Sequence, residues 1–432
     1  MAIYPTPLPR EKLDVFFGEF FREMRKAPPQ SYGNFFMRAE EEFKRTGYRE
    51  NNLRGGQIEN ILIVRLDSIG DMILTSGFLR EVRANFPKAR ITLVIFPTTY
   101  QVVELCPYVN EIFVVDKNWF NKNFLELFET AAVFCRDNLW QRKFSIAFSP
   151  RWGIDTFSSL LLSWLSGAKE RIGYGTFPFR NQVINPPPIT AGPDNFFLTK
   201  NVVTPRNIIH DANKNFYLLE GAGLKVNQTH MELFYGAEDF QHAKELLEDL
   251  PPNCKKVLLG IGGRELNRHY PVEKYLVALK ELVKKNLVFI IVGGREEFDD
   301  AKFIEQNLPV GKVLNLVGKI TLRQCEALTS QADFYIGNDT GNMHMAAAAQ
   351  VPVLIINREA QDRENILPAL FSPFSRFAPW QTKKVILRPA HPLDDCATLP
   401  PVYGHCHHRE PHCITQITPQ EIIAGFETLE KF

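Results

Sequence analysis

The chain has 432 residues, too many for one ordinary domain, and this length favours two domains with substantial cores. Its formal net charge of +1 excludes a global electrostatic attraction to nucleic acid or to an anionic membrane. The first residues lack the apolar core of a signal peptide, and no run reaches the ~18 apolar residues of a spanning helix. The seven cysteines are mostly scattered, as in a reducing compartment, so we expect a cytoplasmic protein.

Residues 1–57 are predicted to form a helical N-terminal extension. Apolar side chains recur at helical spacing between residues 11 and 26, with basic residues on the opposite face. A second helix is predicted over residues 34–46. A basic, Phe-rich amphipathic helix can pack on its own protein, or it can lie peripherally on the inner face of the cytoplasmic membrane. The sequence leaves both uses of residues 11–26 open.

From residue 59 onward, predicted strands and helices alternate, which indicates parallel sheets covered on both faces. The first series has strands at 61–64, 91–96, 112–115 and 144–148 and helices at 70–85, 124–136, 156–165 and 207–222. The second series has strands at 256–260, 288–292, 314–316, 334–336 and 353–356 and helices at 238–250, 271–284, 298–306, 321–331 and from residue 341. The predicted fold is therefore α/β, with two Rossmann-like doubly wound lobes facing a central cleft. Their predicted bounds are 58–235 and 236–415, followed by a C-terminal helix at 416–432.

Four strand ends that contain glycine are predicted to face the cleft, at residues 67–71, 260–263, 293–294 and 337–341. None has the dinucleotide spacing G-x-G-x-x-G after the first strand, and none matches the phosphate-loop pattern G-x-x-x-x-G-K-[ST]. Three such ends in one lobe favour a phosphate-bearing ligand, although glycine turns also close ordinary αβ units.

The turn between residues 337 and 344 leads from a buried strand into an Ala-rich helix. Unpaired backbone amides and the dipole at a helix start attract anions such as phosphate. Asp339, Thr340 and His344 are expected where they can hold a hydroxyl and a phosphate together, and Gly341 allows close approach of the backbone. The alternative is a capped turn with His344 on the surface.

Two stretches resemble a known family. Residues 61–71, ILIVRLDSIGD, resemble the opening of the lipopolysaccharide heptosyltransferases, glycosyltransferase family 9, and residues 337–348, GNDTGNMHMAAA, resemble that family's nucleotide-sugar turn. Residues 268–271, RHYP, are similar to its Lys-x-Trp-Pro segment, and residues 291–294, IVGG, match its next strand end. The resemblance covers about residues 58–430.

The resemblance implies the GT-B fold, in which the acceptor binds mainly to the first lobe and the nucleotide-sugar to the second. It also implies inversion at the anomeric carbon without a metal. Asp71 then resembles the general base, while Arg268 stands where the family usually has a lysine on the diphosphate. The implied donor-binding residues are Gly263, Arg268, Gly293, Gly294, Asp339, Thr340, Gly341 and His344. Read without the resemblance, Asp71 is an ordinary acidic residue in a first helical turn.

Four residues are candidates for binding the acceptor. Ser68 and Gly70 lie in the turn before Asp71, and Arg151 and Arg171 follow or open predicted turns. Because guanidinium groups bind anions bidentately, the two arginines suit a phosphorylated or acidic sugar.

The tail from residue 391 to residue 413 contains five of the ten histidines and three of the seven cysteines. Three thiols and one imidazole, Cys396, Cys406, Cys413 and His408, make an alternative tetrahedral metal site. The stretch has no Cys-x-x-Cys pair, so its spacing is not that of a standard zinc finger. We therefore expect no bound metal in the tail.

The implied reaction transfers a sugar, heptose from ADP-heptose, to a lipopolysaccharide-core acceptor that is a glycolipid or oligosaccharide. It releases ADP, requires no cofactor and involves no nucleic acid. The alternatives are another donor or a protein acceptor on the same fold, and a non-catalytic homologue that binds nucleotide-sugar. An epimerase or NAD enzyme is disfavoured by the missing dinucleotide fingerprint.

Overall fold

The computed structural model describes residues 18–28, 32–45, 60–121, 123–153, 159–175, 194–362, 372–394, 396 and 408–432. Twelve strands in these residues form two six-stranded sheets. The first sheet contains Asn60–Val64 (β1), Arg90–Ile95 (β2), Glu111–Val114 (β3), Ile146–Ser149 (β4), Glu170–Gly173 (β5) and Lys200–Asn201 (β6). The second contains Lys255–Gly260 (β7), Leu287–Ile291 (β8), Val313–Asn315 (β9), Phe334–Asn338 (β10), Val353–Ile356 (β11) and Lys384–Leu387 (β12).

The two sheets have the same topology. Their strand orders are β3-β2-β1-β4-β5-β6 and β9-β8-β7-β10-β11-β12, and every pairing between these described strands is parallel. This is the doubly wound order of Rossmann-like folds. The strand order reverses between β1 and β4 in one lobe and between β7 and β10 in the other, and ligands bind beyond the carboxyl ends of the strands at such points. The predicted fold class is therefore confirmed.

The helices cover the sheets and separate successive strands. They are residues 18–24 (α1), Tyr32–Arg45 (α2), Ile69–Ile73 (α3), Ser76–Asn85 (α4), Tyr100–Val103 (α5), Phe124–Phe134 (α6), Ser159–Leu165 (α7), Asp194–Phe197 (α8), Asp211–Ala222 (α9), Ala237–Glu248 (α10), Val272–Leu282 (α11), Phe298–Asn307 (α12), Leu322–Thr329 (α13), Gly341–Ala348 (α14), Pro373–Phe377 (α15) and Pro419–Leu429 (α16). The central strands are apolar runs buried on both faces, as parallel sheets require.

The prediction of a single helix over residues 70–85 is wrong, because this range contains the two separate helices α3 and α4. The hydroxyl of Thr75 donates to the carbonyl of Asp71 at 2.7 Å, and the hydroxyl of Ser76 donates to the carbonyl of Ile73 at 2.7 Å. Such local side-chain bonds compete with the helical ladder and interrupt it at this turn. The short helix α3 therefore ends before α4 begins.

The N-terminal extension packs on the first lobe with the apolar face of its described part. Phe20 and Met24 of α1 are 1% and 0% exposed, and Phe36 of α2 is 5% exposed. The Phe36 ring contacts Phe128 and Trp164, with centroid distances of 5.5 and 5.8 Å. The described apolar face of α1 is therefore covered by the protein itself, and residues 11–17 of the proposed membrane-binding helix lie outside the described residues. Among the described helices, none is long and apolar enough to cross a bilayer.

Residues 376–380 of the second lobe contact the first lobe through side-chain hydrogen bonds. Arg376 of α15 donates to both carboxylate oxygens of Asp211, at 2.9 and 2.7 Å. The indole of Trp380 donates to the carbonyl of Thr229 at 2.7 Å. Burial raises the pKa of Asp211, but Arg376 and Lys214 lower it more, so the net pKa lies well below its ordinary value. The two lobes therefore share a partly buried, bidentate ion pair.

We predict that the extension contributes to stability as part of the core. Phe36→Ala should lower the free energy of unfolding by roughly 3–5 kcal/mol, because it leaves a cavity among aromatic rings. The neighbouring Met37 is 57% exposed, so Met37→Ala is the matched control and should change stability by less than about 0.5 kcal/mol. Urea unfolding of both variants measures this. Equal effects of the two substitutions would show that α2 is not an integral part of the core.

Candidate active site

The carboxyl end of β1 holds a carboxylate at the edge of the cleft. Asp71 lies in the first turn of α3, where its Oδ2 accepts hydrogen bonds from the Ser68 hydroxyl at 2.6 Å and the Ser68 amide at 3.3 Å. The Arg65 guanidinium lies 3.4 Å from Asp71 Oδ1. The side chain of Asp71 is 21% exposed, so it is oriented by its neighbours and still accessible. Its geometry suits a group that accepts a proton from a bound hydroxyl.

A buried charge cluster lies beneath Asp71 and was missed by the sequence analysis. Arg65 is 2% exposed and donates to the carbonyl of Pro150 at 2.7 Å. Its Nε lies 3.2 Å from Asp67 Oδ2, and the other oxygen of Asp67 forms an ion pair with Arg151. The available signal was an arginine at the end of an apolar strand, where a buried charge needs partners. Arg151, predicted to bind the acceptor, thus lies at this end of the sheet.

Arg171, the other arginine predicted to bind the acceptor, does not reach this site. It is 3% exposed, and its guanidinium donates to the carbonyls of Phe197 at 2.8 Å and Ala168 at 3.0 Å. Glu40 of the N-terminal extension lies 3.8 Å away on the same side. The prediction for Arg171 is wrong, because its guanidinium instead supports the backbone of the first lobe.

In the second lobe, Asn338 joins the two strand ends at the switch point. Its amide donates to the carbonyls of Ile261 at 2.5 Å and Gly262 at 3.0 Å, and its oxygen accepts from the Tyr275 hydroxyl at 2.8 Å. Thr340 then adopts an extended conformation as the N-cap of α14. The first amides of α14 have no acceptor within the helix. Because α14 begins at the cleft, this turn is suited to binding an anion.

Arg268 places a guanidinium beside that turn. Its Nη1 lies 3.6 Å from Asp339 Oδ2 and 3.5 Å from the Asp339 carbonyl, and its Nη2 lies 3.3 Å from Glu265. Burial lowers the pKa of Arg268, but Asp339, Glu265 and Asp71 together raise it above its ordinary value. The site therefore contains a permanent cation, held in place by carboxylates of the same lobe.

The glycine turns after β7 and β8 converge on one buried carboxylate, Glu297. A Cβ on Gly262 would overlap the Glu297 side chain, and the amide of Gly263 donates to its Oε1 at 3.3 Å. A Cβ on Gly293 would lie 3.0 Å from Oε2. Burial raises the pKa of Glu297, and Oε2 is buried without a hydrogen-bond partner among the described residues. Glu297 was also missed by the sequence analysis, since two consecutive glutamates at a helix start look like ordinary dipole partners.

The two helix starts meet across the cleft. A Cβ on Gly70 would lie 2.6 Å from Cδ2 of His344, and one on Gly341 would lie 2.8 Å from the Ile69 side chain. His344 is 6% exposed, so the alternative of a surface histidine is wrong. Burial lowers the pKa of His344, although Asp339 and Asp71 raise it, and the ring is neutral at neutral pH. Glycine at both positions permits this close approach.

The tail brings together part of the predicted metal-ligand set. Cys396 and Cys413 lie close to the ring of His412, whereas His408, the predicted imidazole ligand, stacks on His412 with 3.8 Å between ring centroids. Cys406 lies outside the described residues.

The chain is similar to known proteins in sequence and in fold. Residues 190–364 match the family model described as glycosyltransferase family 9 (heptosyltransferase). The predicted similarity to glycosyltransferase family 9 is confirmed over these residues. Lipopolysaccharide heptosyltransferase 3 of Escherichia coli is 21% identical over 293 residues, which cover 66% of this chain and 79% of that protein. The protein is accordingly a glycosyltransferase enzyme.

Two solved structures share its fold. A glycosyl transferase family 9 protein from Veillonella parvula has a TM-score of 0.66 and 21% identity, covering 86% of this chain and 97% of that one. The Escherichia coli heptosyltransferase WaaC with ADP has a TM-score of 0.57 and 17% identity, covering 86% and 99%. The predicted family and its GT-B architecture are confirmed.

We predict that the contact between α3 and α14 is required for activity. In Gly70→Ala, the new methyl group must displace His344 or separate the lobes, and a misplacement of about 1 Å can cost on the order of 100-fold in rate. The kcat/KM for sugar transfer should therefore fall at least tenfold. Gly18 has open space around it, so Gly18→Ala is the control and should retain full activity. Wild-type activity in Gly70→Ala would contradict a functional role for this contact.

Proposed function

We propose that this glycosyltransferase transfers heptose from ADP-heptose to a lipopolysaccharide-core-type acceptor, a glycolipid or oligosaccharide, with inversion at the anomeric carbon. The observation that carries the proposal is the convergence of Asp71 and the turn at residues 339–344 on one cleft, from opposite lobes. The donor assignment is supported by the similarity to heptosyltransferases, one of which was solved with ADP. The acceptor assignment is supported by the names of the same relatives.

In the proposed reaction, the acceptor hydroxyl oxygen attacks the anomeric carbon of the donor in a single displacement. A carbon–oxygen bond to the sugar forms as the bond to the β-phosphate breaks, and ADP leaves with the bonding electron pair. The hydroxyl proton passes to the Asp71 carboxylate. Attack opposite to the leaving group inverts the anomeric configuration.

The negative charge that develops on the diphosphate needs donors that are already in place. The amides at the start of α14 and the guanidinium of Arg268 would supply them, with no reorganisation during the reaction. A neutral His344 ring can donate one hydrogen bond without adding charge, and its buried Nδ1 has no partner among the described residues. We therefore propose that no metal ion takes part in the chemical step and that added Mg²⁺ leaves kcat/KM unchanged.

On the acceptor side, Asp71 is held by Ser68 and Arg65, and Gly70 keeps the backbone close to His344. Arg151 lies beside Asp67 with its side chain 20% exposed, where it can also meet an anionic group of the acceptor. These contacts support acceptor roles for Ser68, Gly70 and Arg151. The proposed lobe bounds, 58–235 for acceptor and 236–415 for donor, follow the division between the two sheets.

The direct test is transfer from ADP-heptose to truncated core acceptors, combined with a thermal-shift panel of ADP, UDP, GDP and CDP. We expect stabilisation by ADP and a product of inverted configuration. Stabilisation by UDP instead of ADP would assign a UDP-sugar as the donor. Transfer to a protein and not to core acceptors would contradict the proposed acceptor class.

The role of Asp71 gives a separate prediction. Asp71→Asn keeps the size of the side chain but removes the basic oxygen, so kcat should fall by about 10²- to 10⁴-fold. The thermal shift caused by ADP should persist, because the donor side is unchanged. Glu238 is an exposed acidic residue in the first turn of α10, so Glu238→Gln is a matched control with unchanged kcat. Full turnover by Asp71→Asn would remove this residue from the mechanism.

The role of Arg268 is expected to appear in donor affinity. Arg268→Ala removes charge-assisted hydrogen bonds worth about 1.5–3 kcal/mol, so the Kd for ADP should rise roughly 10- to 100-fold. Arg206 is exposed on the first lobe, and Arg206→Ala should leave the Kd unchanged. Isothermal titration with ADP measures both variants. If ADP bound Arg268→Ala as tightly as the wild type, the diphosphate would have to lie elsewhere.

A further inference from the structure

The tail of the second lobe contains a compact group of three soft donors. One ligand atom from each of Cys396, His412 and Cys413 lies within 4.8 Å of the others. The Nδ1 of His412 is 3.6 Å from the sulfur of Cys396 and 3.5 Å from the sulfur of Cys413. Both cysteines are buried and neither is in a disulfide, while His412 is partly buried. Cys396 lies 17 residues before Cys413 in the sequence, so it is the fold that brings both thiol sulfurs to the same imidazole nitrogen.

These separations are those of ligands around a tetrahedral metal ion. Zinc–sulfur bonds of ~2.3 Å and zinc–nitrogen bonds of ~2.05 Å, opened to a tetrahedral angle, place sulfur and nitrogen about 3.5–3.6 Å apart. Both sulfur–nitrogen distances lie within that interval. Two thiolates and one imidazole select a soft divalent transition metal over magnesium or calcium.

The surroundings of His412 support the same assignment. Its second ring nitrogen, Nε2, lies 3.4 Å from Oδ2 of Asp394. A histidine that binds a metal through one nitrogen commonly donates its other N–H to a carboxylate, which fixes the tautomer that leaves the first nitrogen free for the metal. The ring of His408 stacks on that of His412 with an interplanar angle of 20° and further limits its rotation. The amide of Leu393 donates to the sulfur of Cys413 at 3.4 Å, a bond that helps to orient this side chain.

We propose that Cys396, His412 and Cys413 bind one zinc or iron(II) ion, through the two thiolates and Nδ1 of the imidazole. Binding displaces the thiol protons to solvent and changes no oxidation state. The ion is a structural one, because it fastens the segment that precedes α16 to the second lobe.

A hydrogen bond links the neighbourhood of the site to the loop that carries Arg268. The carbonyl of His408 accepts from the amide of Asn267 at 2.6 Å, and Asn267 immediately precedes Arg268. Arg358 also contacts Asn267 and forms an ion pair with Glu265 at 2.8 Å. Loss of the ion should therefore loosen the loop that carries Arg268 and raise the KM for the donor more than it lowers kcat. This second consequence rests on the proposed function, whereas metal binding itself does not.

The test uses the full chain, purified anaerobically without a polyhistidine tag or chelator. Elemental analysis should find about one equivalent of zinc or iron per chain and decides between the two ions. After the ion is removed, titration with Co²⁺ should produce a thiolate-to-cobalt charge-transfer band that saturates at one equivalent.

Variants then locate the site. Cys396→Ser combined with Cys413→Ser should abolish the cobalt band, and His412→Ala should weaken binding. Cys254 is also free of disulfide bonds but lies at the other end of the lobe, so Cys254→Ser is the matched control and should bind the ion like the wild type. Asp394→Asn leaves all three ligands in place and should reduce metal affinity by about 10- to 100-fold.

The proposal is overturned if the wild-type protein contains no metal and gives no cobalt band, or if mass spectrometry of freshly isolated protein finds Cys396 and Cys413 joined in a disulfide. Where the double variant fails to fold, the wild-type titration and Asp394→Asn still decide the question. If the ion binds but its removal leaves the donor KM unchanged, the ion stabilises only the tail, and the link to the loop of Asn267 is wrong.

Discussion

The structure depends on the close approach of two helix starts, α3 from the first lobe and α14 from the second. Each is positioned by a strand end at the switch point of its own sheet, and each carries a glycine at the point of contact. Gly70 lies against the His344 ring, and Gly341 lies against Ile69, with no room for a side chain at either position. The positive ends of two helix dipoles therefore point into the same cleft, which favours anionic ligands there.

In each lobe, one arginine near this cleft lies between two carboxylates. In the first lobe, Arg65 lies between Asp67 and Asp71, so a buried cation compensates two carboxylates. In the second lobe, Arg268 lies between Asp339 and Glu265. A buried charge without a partner would be costly, and here two guanidinium groups are each paired with two carboxylates. The proposed transfer reaction uses this arrangement: one lobe accepts a proton and the other stabilises the departing diphosphate.

The parts of the fold that follow from local chemistry were predictable. Apolar runs such as residues 61–64 and 353–356 indicate buried parallel strands, and the turns after them carry the residues of the candidate site. Features that depend on distant partners were not predictable. The sequence does not show that the guanidinium of Arg171 is taken up by carbonyls of its own lobe, or that Glu40 of the extension lies nearby. It also does not show that hydroxyls of Thr75 and Ser76 divide one apolar stripe into two helices.

The tail illustrates the same limit at the level of single side chains. Five histidines and three cysteines within 23 residues indicate possible metal chemistry, but their spacing does not select the ligands. Only the fold shows that His412 faces both sulfurs while His408 stacks behind it. Arg65 and Glu297 were missed for a related reason, since their roles arise from burial and from neighbours brought by other strands. A charged residue at the end of an apolar strand is the signal that would have identified Arg65.

We propose that sugar transfer takes place between the starts of α3 and α14. A crystal structure of the complex with ADP tests it most directly. We expect the diphosphate to contact the amides of residues 341–343 and the guanidinium of Arg268, and the Asp71 carboxylate to face the terminal phosphate across the cleft. A nucleotide bound at any other strand end, or an Asp71 side chain turned away from the terminal phosphate, would contradict it.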